Sequence, residues 1–373
     1  MSNEVPANHD NASTVEDDVE GLDSAVGSWG DYPIDELLIR HDHRTVYDVL
    51  RRIERNSYVM NPDFQRDFIW PEDKQSKLIE SVIMRIPLPV FYMAEDEQGR
   101  AIVVDGLQRL STFRNYVGDG FRLRLPDRPE LNGHRFSELS TKFQNRVEDC
   151  NLIFYIIDAK APPRARLDIF ERVNGGEPLT RQQMRNCLFM GNATRFLKDE
   201  ATSDLFLDVT GDSLNWRTMR DREFVNRFCA FSVLGVDQYR GDMDDFLAAT
   251  LTQMNKMPED EMDELSERFR RSLANNRLLF DRHCFRKSLV QLEGRRSVIN
   301  ASLWDVMSTG LSGHSEESVT ASAEELRWAM SELLQDEDFT ISITYATNDR
   351  ERVRHRFAQS TEVLEEILGV PEN

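Results

Sequence analysis

The chain has 373 residues, 66 acidic against 46 basic side chains, a net charge of −20 and 40% apolar residues. That composition suits a folded, water-soluble protein with room for two ordinary domains, and it excludes a general nucleic-acid coat, because a duplex would be repelled by the average surface. No run of 18 apolar residues occurs, the N-terminus carries no signal-like apolar stretch, and the four cysteines stand 37 to 55 residues apart, so the expectation is a cytoplasmic protein with reduced thiols, no membrane span, no C-x-x-C pair and no zinc framework.

Residues 1–32 hold Glu16, Asp17, Asp18, Glu20 and Asp23, with no Lys or Arg before Arg40, which predicts a disordered acidic tail. Thr45 then reads as a helix cap, followed by Val46, Val49, Leu50 and Ile53 on one face until Asn56. Residues 57–60 read as a strand leading into Asn61-Pro62, and in the following DFQRDFIW Phe64, Phe68 and Trp70 read as packing residues, with Arg66 able to pair with Asp63 or Asp67. Leu78, Ile79, Val82, Ile83 and Ile86 give a helical stripe over 72–86, closed by Pro87 and Pro89. A strand at 90–93, a turn at 97–100 and a second strand at 101–104 make a hairpin that delivers the dipeptide Asp105-Gly106.

Helical spacing resumes at Leu107, Leu110 and Phe113, so Asp105-Gly106 lies between a strand and a helix start. The first N–H groups of a helix have no partner within it and can receive an anion, and a glycine lets that anion approach the main chain. Asp105, Gln108 and Arg109 add a carboxylate, an amide and a guanidinium, which suits a phosphate with Arg109 as its bidentate partner and Asp105 free to hold a metal or orient a water. On spacing alone a second reading stands beside it: an ordinary turn in which Asp105 caps the helix and Arg109 pairs with a surface carboxylate.

Farther along, 121–125 alternates apolar residues with arginine as an edge strand does, and 151–158 (NLIFYIID) reads as a central strand. A helix over 164–173 runs into Asn174-Gly175-Gly176, and Thr180 caps the next. Beyond Asn192 the pattern is almost wholly helical, with 339–345 as the one strand candidate. Between Arg268 and Arg296 nine Lys or Arg residues face only Asp281 and Glu293, read either as a solvated, salt-bridged face or as one that tracks phosphates.

The stretch DGLQRLST resembles the DGQQR(L/I)T motif of the N-terminal domain family of GmrSD-type modification-dependent restriction systems, a branch of the ParB/sulfiredoxin-like fold. NPDFQRDFIW, KLIESVIMRIPLPVFYM and IFERVNGGEPLTRQQMRN agree with that family in order, so the likeness covers roughly 44–189. It implies an α+β, ParB/sulfiredoxin-like domain with a small mixed sheet over 33–190, with an all-helical domain over 191–373. It also implies a nucleoside triphosphate (GTP, ATP or CTP) with Mg²⁺, held by Arg66, Gly106, Arg109, Arg172 and Asn174. Asp105, Gln108 and Arg109 are its expected catalytic residues. The implied partners are DNA and an HNH-type nuclease or a modification enzyme, and self-assembly is left open. Leu107 stands where the family usually has its first Gln, and Gln183 where it usually has Glu, which motivates a second reading as a non-catalytic DNA-binding or adaptor subunit. A third is a metal-dependent nuclease with Asp105 as its acid. No Walker-type loop, G-x-G-x-x-G, G-x-S-x-G or H-E-x-x-H occurs, and the seven histidines are scattered, so neither a metal-ligand set nor a nuclease centre can be drawn.

Overall fold

A computed structural model describes residues 19–22, 39–60, 70–96, 98–161, 163–173 and 180–370. The chain divides into two compact units, Ser24–Glu200 with Arg217–Asp263, and Met1–Asp23 with Ala201–Trp216 and Glu264–Asn373.

The first unit is built on a five-stranded mixed sheet of order β2-β6-β4-β5-β3. Its strands are β2 (Ile39–Thr45), β3 (Tyr58–Val59), β4 (Phe91–Glu95), β5 (Ala101–Asp105) and β6 (Asn151–Ile157). β4 and β5 form the expected antiparallel hairpin, while β3 runs parallel to β5 and β6 parallel to β4. Strand alternation separates two cores. Ala101 and Val103 join Phe91, Met93 and Phe154 beneath helices α1 (Val46–Glu54), α2 (Glu72–Ile83), α3 (Leu107–Val117) and α4 (Thr141–Glu148). Ile102 and Val104 face the other way, with Ala94 and Ile157, onto Leu167 of α5 (Pro163–Val173) and Met184, Cys187 and Leu188 of α6 (Arg181–Leu188).

Local signals hold where they rest on local chemistry. Thr45 Oγ1 accepts from Asp48 N at 3.2 Å, and Thr180 with Gln183 closes a capping box on α6. Residues 121–125 keep the expected alternation but join no sheet: Leu123 exchanges backbone hydrogen bonds with Gly133 and His134, while Arg124 N donates to Ser76 Oγ and Leu125 N to Asn132 Oδ1, so a turn and two side chains replace a neighbouring strand. Helices α7 (Asn192–Ala201), α9 (Arg220–Val233) and α10 (Met243–Met254) follow, and the first unit includes all three except Ala201.

The second unit is helical around Trp304, whose ring lies 4.4 Å from that of Phe285 and 5.9 Å from that of Phe206. Its elements are α8 (Asp204–Thr210), the later part of α11 (Glu259–Phe280), α12 (Ala301–Gly310), α13 (Glu316–Ala321), α14 (Ala323–Leu333), α15 (Glu337–Ser342) and α16 (Arg350–Leu368). The strand expected over 339–345 is instead mostly α15. Asp336 caps it by accepting from Phe339 N at 2.8 Å, and Phe339 and Ile343, four residues apart, are buried, so cap and helical spacing prevail over the β-branched run.

Val19–Glu20 (β1) pairs parallel with Ile299–Asn300 (β7), Glu20 meets Lys287 at 2.5 Å, and Thr347 Oγ1 donates to Gly21 O. Within the tail expected to be disordered, 19–22 therefore have defined partners; the rest of 1–32 lies outside the described residues.

Candidate functional site

The candidate site forms where β5 ends. Tyr92 pairs with Asp105 but Met93 with Val103, so β5 carries one extra residue, Val104, immediately before Asp105. A bulge of this kind bends the strand and re-aims the side chain that follows. Gly106 then takes φ +97°, the left-handed region, and a Cβ there would lie 2.2 Å from Cδ1 of buried Phe91. Only glycine fits both the angle and the contact. Gly106 is also the N-cap of α3, and no side chain caps that helix. Asp105 is therefore not the capping residue that the simpler sequence reading made it.

Arg109 folds back over this turn. It is 8% exposed, its guanidinium lies 4.2 Å from the Phe91 ring, Nη1 donates to Pro89 O, and Nη2 donates to Val90 O at 3.1 Å and to Asp105 Oδ2 at 2.7 Å. Burial pulls its pKa below the ordinary arginine value, against the opposing pull of Asp105. Its terminal nitrogens thus bond protein groups, and its evident work is to hold the Asp105 carboxylate in place. The Asp105 side chain is 35% exposed, and Oδ1 has no hydrogen bond among the described residues. The result is a fixed carboxylate with one open oxygen, next to an uncapped helix start.

Gln108 ties the turn to a neighbouring segment: Oε1 accepts from Trp70 N at 3.1 Å, and Gln75 Nε2 bonds Trp70 O at 2.6 Å. Met60 at the end of β3 and Trp70 bracket 61–69, the segment with Arg66, so both anchors of that segment lie at the Asp105 edge of the sheet. Arg66 itself lies outside the described residues, as does Asn174. Arg172 stands exposed in the last turn of α5. The segment 174–179 leads into α6, whose Met184 shares a core cluster with Val104 and Leu107.

Both departures from the family pattern have local explanations. Leu107 packs against the apolar clusters on both sides of the sheet, where it offers no polar group. Gln183 Oε1 accepts from Thr180 N at 2.7 Å and Nε2 donates to Arg217 O at 2.8 Å, so the amide serves a cap and a crosslink that a carboxylate could only half supply. Sequence reasoning missed the role of the Pro89-Val90 carbonyls. The signal was the run Pro87-Leu88-Pro89-Val90, which ends before β4 and so leaves carbonyls that need a donor from outside the ladder.

No described group of three His, Cys, Asp or Glu side chains is arranged to hold a metal. No helix of the described residues is long and apolar enough to cross a membrane.

A two-faced α+β sheet domain whose hairpin ends in a glycine turn with a clamped carboxylate, followed by a helical region, is the class that fold and site define. Residues 46–190 match the family model described as GmrSD restriction endonuclease, N-terminal domain, and this segment of the chain belongs to that family. No curated protein and no solved structure matches the chain. The domain is a module of a restriction or defence system.

Proposed function

We propose that this module binds a nucleoside triphosphate with Mg²⁺ at the Asp105–Arg109 turn and couples hydrolysis to DNA recognition by a restriction system. The observation that carries the reading is the Asp105 carboxylate, clamped by Arg109 through one oxygen with the other open, beside a helix start that only a glycine can form. These residues fit the group: the open carboxylate oxygen suits a hard cation or a water, and the α3 amides suit phosphate oxygens. Mg²⁺ would supply charge neutralisation on the phosphates and lower the pKa of a bound water.

Asp105 orients the metal or the water, Gly106 and the following amides receive phosphate, and Gln108 positions the nucleophile. Arg66, Arg172 and Asn174 are assigned to the phosphates and the nucleoside. Arg109 acts as a positioning residue that keeps the carboxylate aimed.

The test is a panel of GTP, ATP and CTP with Mg²⁺, read by melting temperature and by phosphate release. A true ligand at 100 times its Kd adds about 2.7 kcal/mol of stability, which is readily seen. No shift with any of the three would sink the reading. A shift without phosphate release would instead favour the non-catalytic adaptor, the reading that the apolar packing of Leu107 supports.

A further inference from the structure

We propose that the segment 291–296, in the helical unit, is a contact site for the phosphate backbone of duplex DNA, with Arg295 and Arg296 directly after its turn and Arg282 at its base. The proposal takes from the preceding section only that the system acts on DNA, and is independent of nucleotide binding at Asp105.

The basic stretch separates into cations with carboxylate partners and cations without. Arg277 pairs with Asp208 at 2.7 Å and with Asp281, and Lys287 pairs with Glu20. Arg286 is buried on neutral acceptors, the carbonyls of Cys284 and Thr210 and the hydroxyl of Ser213. Arg282, Arg295 and Arg296 are exposed, and none of them pairs with a carboxylate among the described residues. Arg282 donates only to His283 Nε2 and to Gly294 O. Glu293, on the same turn, and Asp212, next to Gly211, have no ion-pair partner among the described residues.

This charge is held in place. Gly294 N closes the turn on Gln291 O at 2.8 Å. Ser288 N donates to Ser297 Oγ and Ser297 N to Ser288 Oγ, a reciprocal clamp at the base, and His283 Nδ1 lies 2.9 Å from the same Ser288 hydroxyl. The Arg296 guanidinium lies against Gly211, where a Cβ would come within 2.0 Å of Nη1. The crowding shows in the neighbours. After burial, the fields of Arg282, Arg286 and Arg296 hold His283 below the ordinary histidine range. Burial and Arg296 together bring Arg286 down to about 10.

Fixed like charges without internal counter-charge are relieved by an external anion. In a chain of net charge −20 such a contact must be local, and a narrow turn with adjacent arginines suits a duplex, where Arg side chains meet phosphates or enter a narrow minor groove. Exposed Val290, Leu292 and Val298 beside the turn make an anionic membrane the competing surface.

The test uses the full chain with a short fluorescent duplex between about 50 and 200 mM salt. The variant is Arg295→Gln with Arg296→Gln, and the control is Arg122→Gln with Arg124→Gln, which removes the same charge from exposed arginines paired with Glu138 and Glu72. Expected for the first pair is a loss on the order of ten- to a hundredfold at low salt and a salt slope shallower by about 1.8, with the control near wild type. An unchanged melting shift with nucleotide in both pairs keeps this result separate from the Asp105 reading. The proposal is overturned if wild type does not bind duplex, if both pairs weaken it equally, or if the turn variant loses phosphatidylserine vesicles while duplex binding is unchanged.

Discussion

Among the buried arginines bound to an aspartate, one pair in each unit differs from the other in a respect that separates structure from function. Arg356 and Asp305 meet at 3.0 Å in the helical unit with both side chains fully buried, and Arg356 also donates to Thr347 O at 2.6 Å. Arg109 and Asp105 meet at 2.7 Å in the sheet unit, yet only the arginine is buried and the carboxylate faces outward. The sealed pair closes a polar crosslink between α12 and α16. In the other, the arginine is anchored so that the acid stays presented. Part-exposed Asp244 uses both oxygens on Arg185 and Arg181, whereas Asp105 uses one on Arg109 and keeps the other open, which is why the Asp105 turn is the place to look for chemistry.

The comparison breaks most visibly at the sealed pair. Arg356→Met should destabilise the protein by about 3–5 kcal/mol, because the buried Asp305 carboxylate loses its arginine partner. A fall in the urea midpoint worth less than about 1 kcal/mol would show that the pair is not sealed in solution. Nucleotide binding per folded molecule should be unaffected.

At the open pair the largest loss should come from the backbone. Gly106→Ala places a Cβ against Phe91 at a left-handed φ, and overpacking together with that strain should cost about 2–3 kcal/mol. Because Phe91 also supports Arg109, the variant should lose nucleotide-dependent stabilisation as well. Wild-type melting with an intact ligand shift would mean the turn is not built as described.

How much of this was legible follows from the range of the forces involved. The Thr45 and Thr180 caps, the hairpin into Asp105 and the α3 stripe depend on residues within a turn of one another and could be read directly. The strands at 101–104 and 151–158 were legible as apolar runs, though not the two faces they separate, and the family motif as four ordered stretches. What could not be read depends on distant partners: Arg109 on carbonyls at Pro89 and Val90, the Val104 bulge on its pairing with β4, and the strand at Val19–Glu20 on Ile299–Asn300. Gln183, read as a loss of catalytic character, proved to be the N3 residue of a capping box, a role that glutamine and glutamate share.

The two units should also respond to acid in different windows. Burial, and then the nearby arginines, depress the folded pKa of His283, and burial depresses that of His314, so the unfolded chain takes up those protons first as pH falls below about 6.5. Stability of the helical unit is then fully present above that pH and lost as pH falls through the folded values. In the sheet unit, hydrogen bonds from Lys77 and then Arg128 depress Glu80, so its contribution persists until pH falls below about 4.5. Urea midpoints measured between about pH 7.5 and 5 should therefore decline in wild type and decline less in His283→Gln. Equal slopes would remove His283 from the account.

The smallest effect on stability should come from the residue with the greatest effect on function. Asp105→Asn keeps the shape of the side chain and an oxygen for Arg109 Nη2, and in a pair whose acid is more than a third exposed the lost ionic contribution should be under about 1 kcal/mol. The carboxylate charge itself is what a cation or an attacking water would use, so phosphate release should fall by about a hundredfold or more. A structural pair predicts the opposite ranking, with stability falling and turnover unchanged. Measuring both quantities in Asp105→Asn and in Asp305→Asn therefore decides whether openness to solvent, rather than the Arg–Asp contact as such, distinguishes a site from a crosslink.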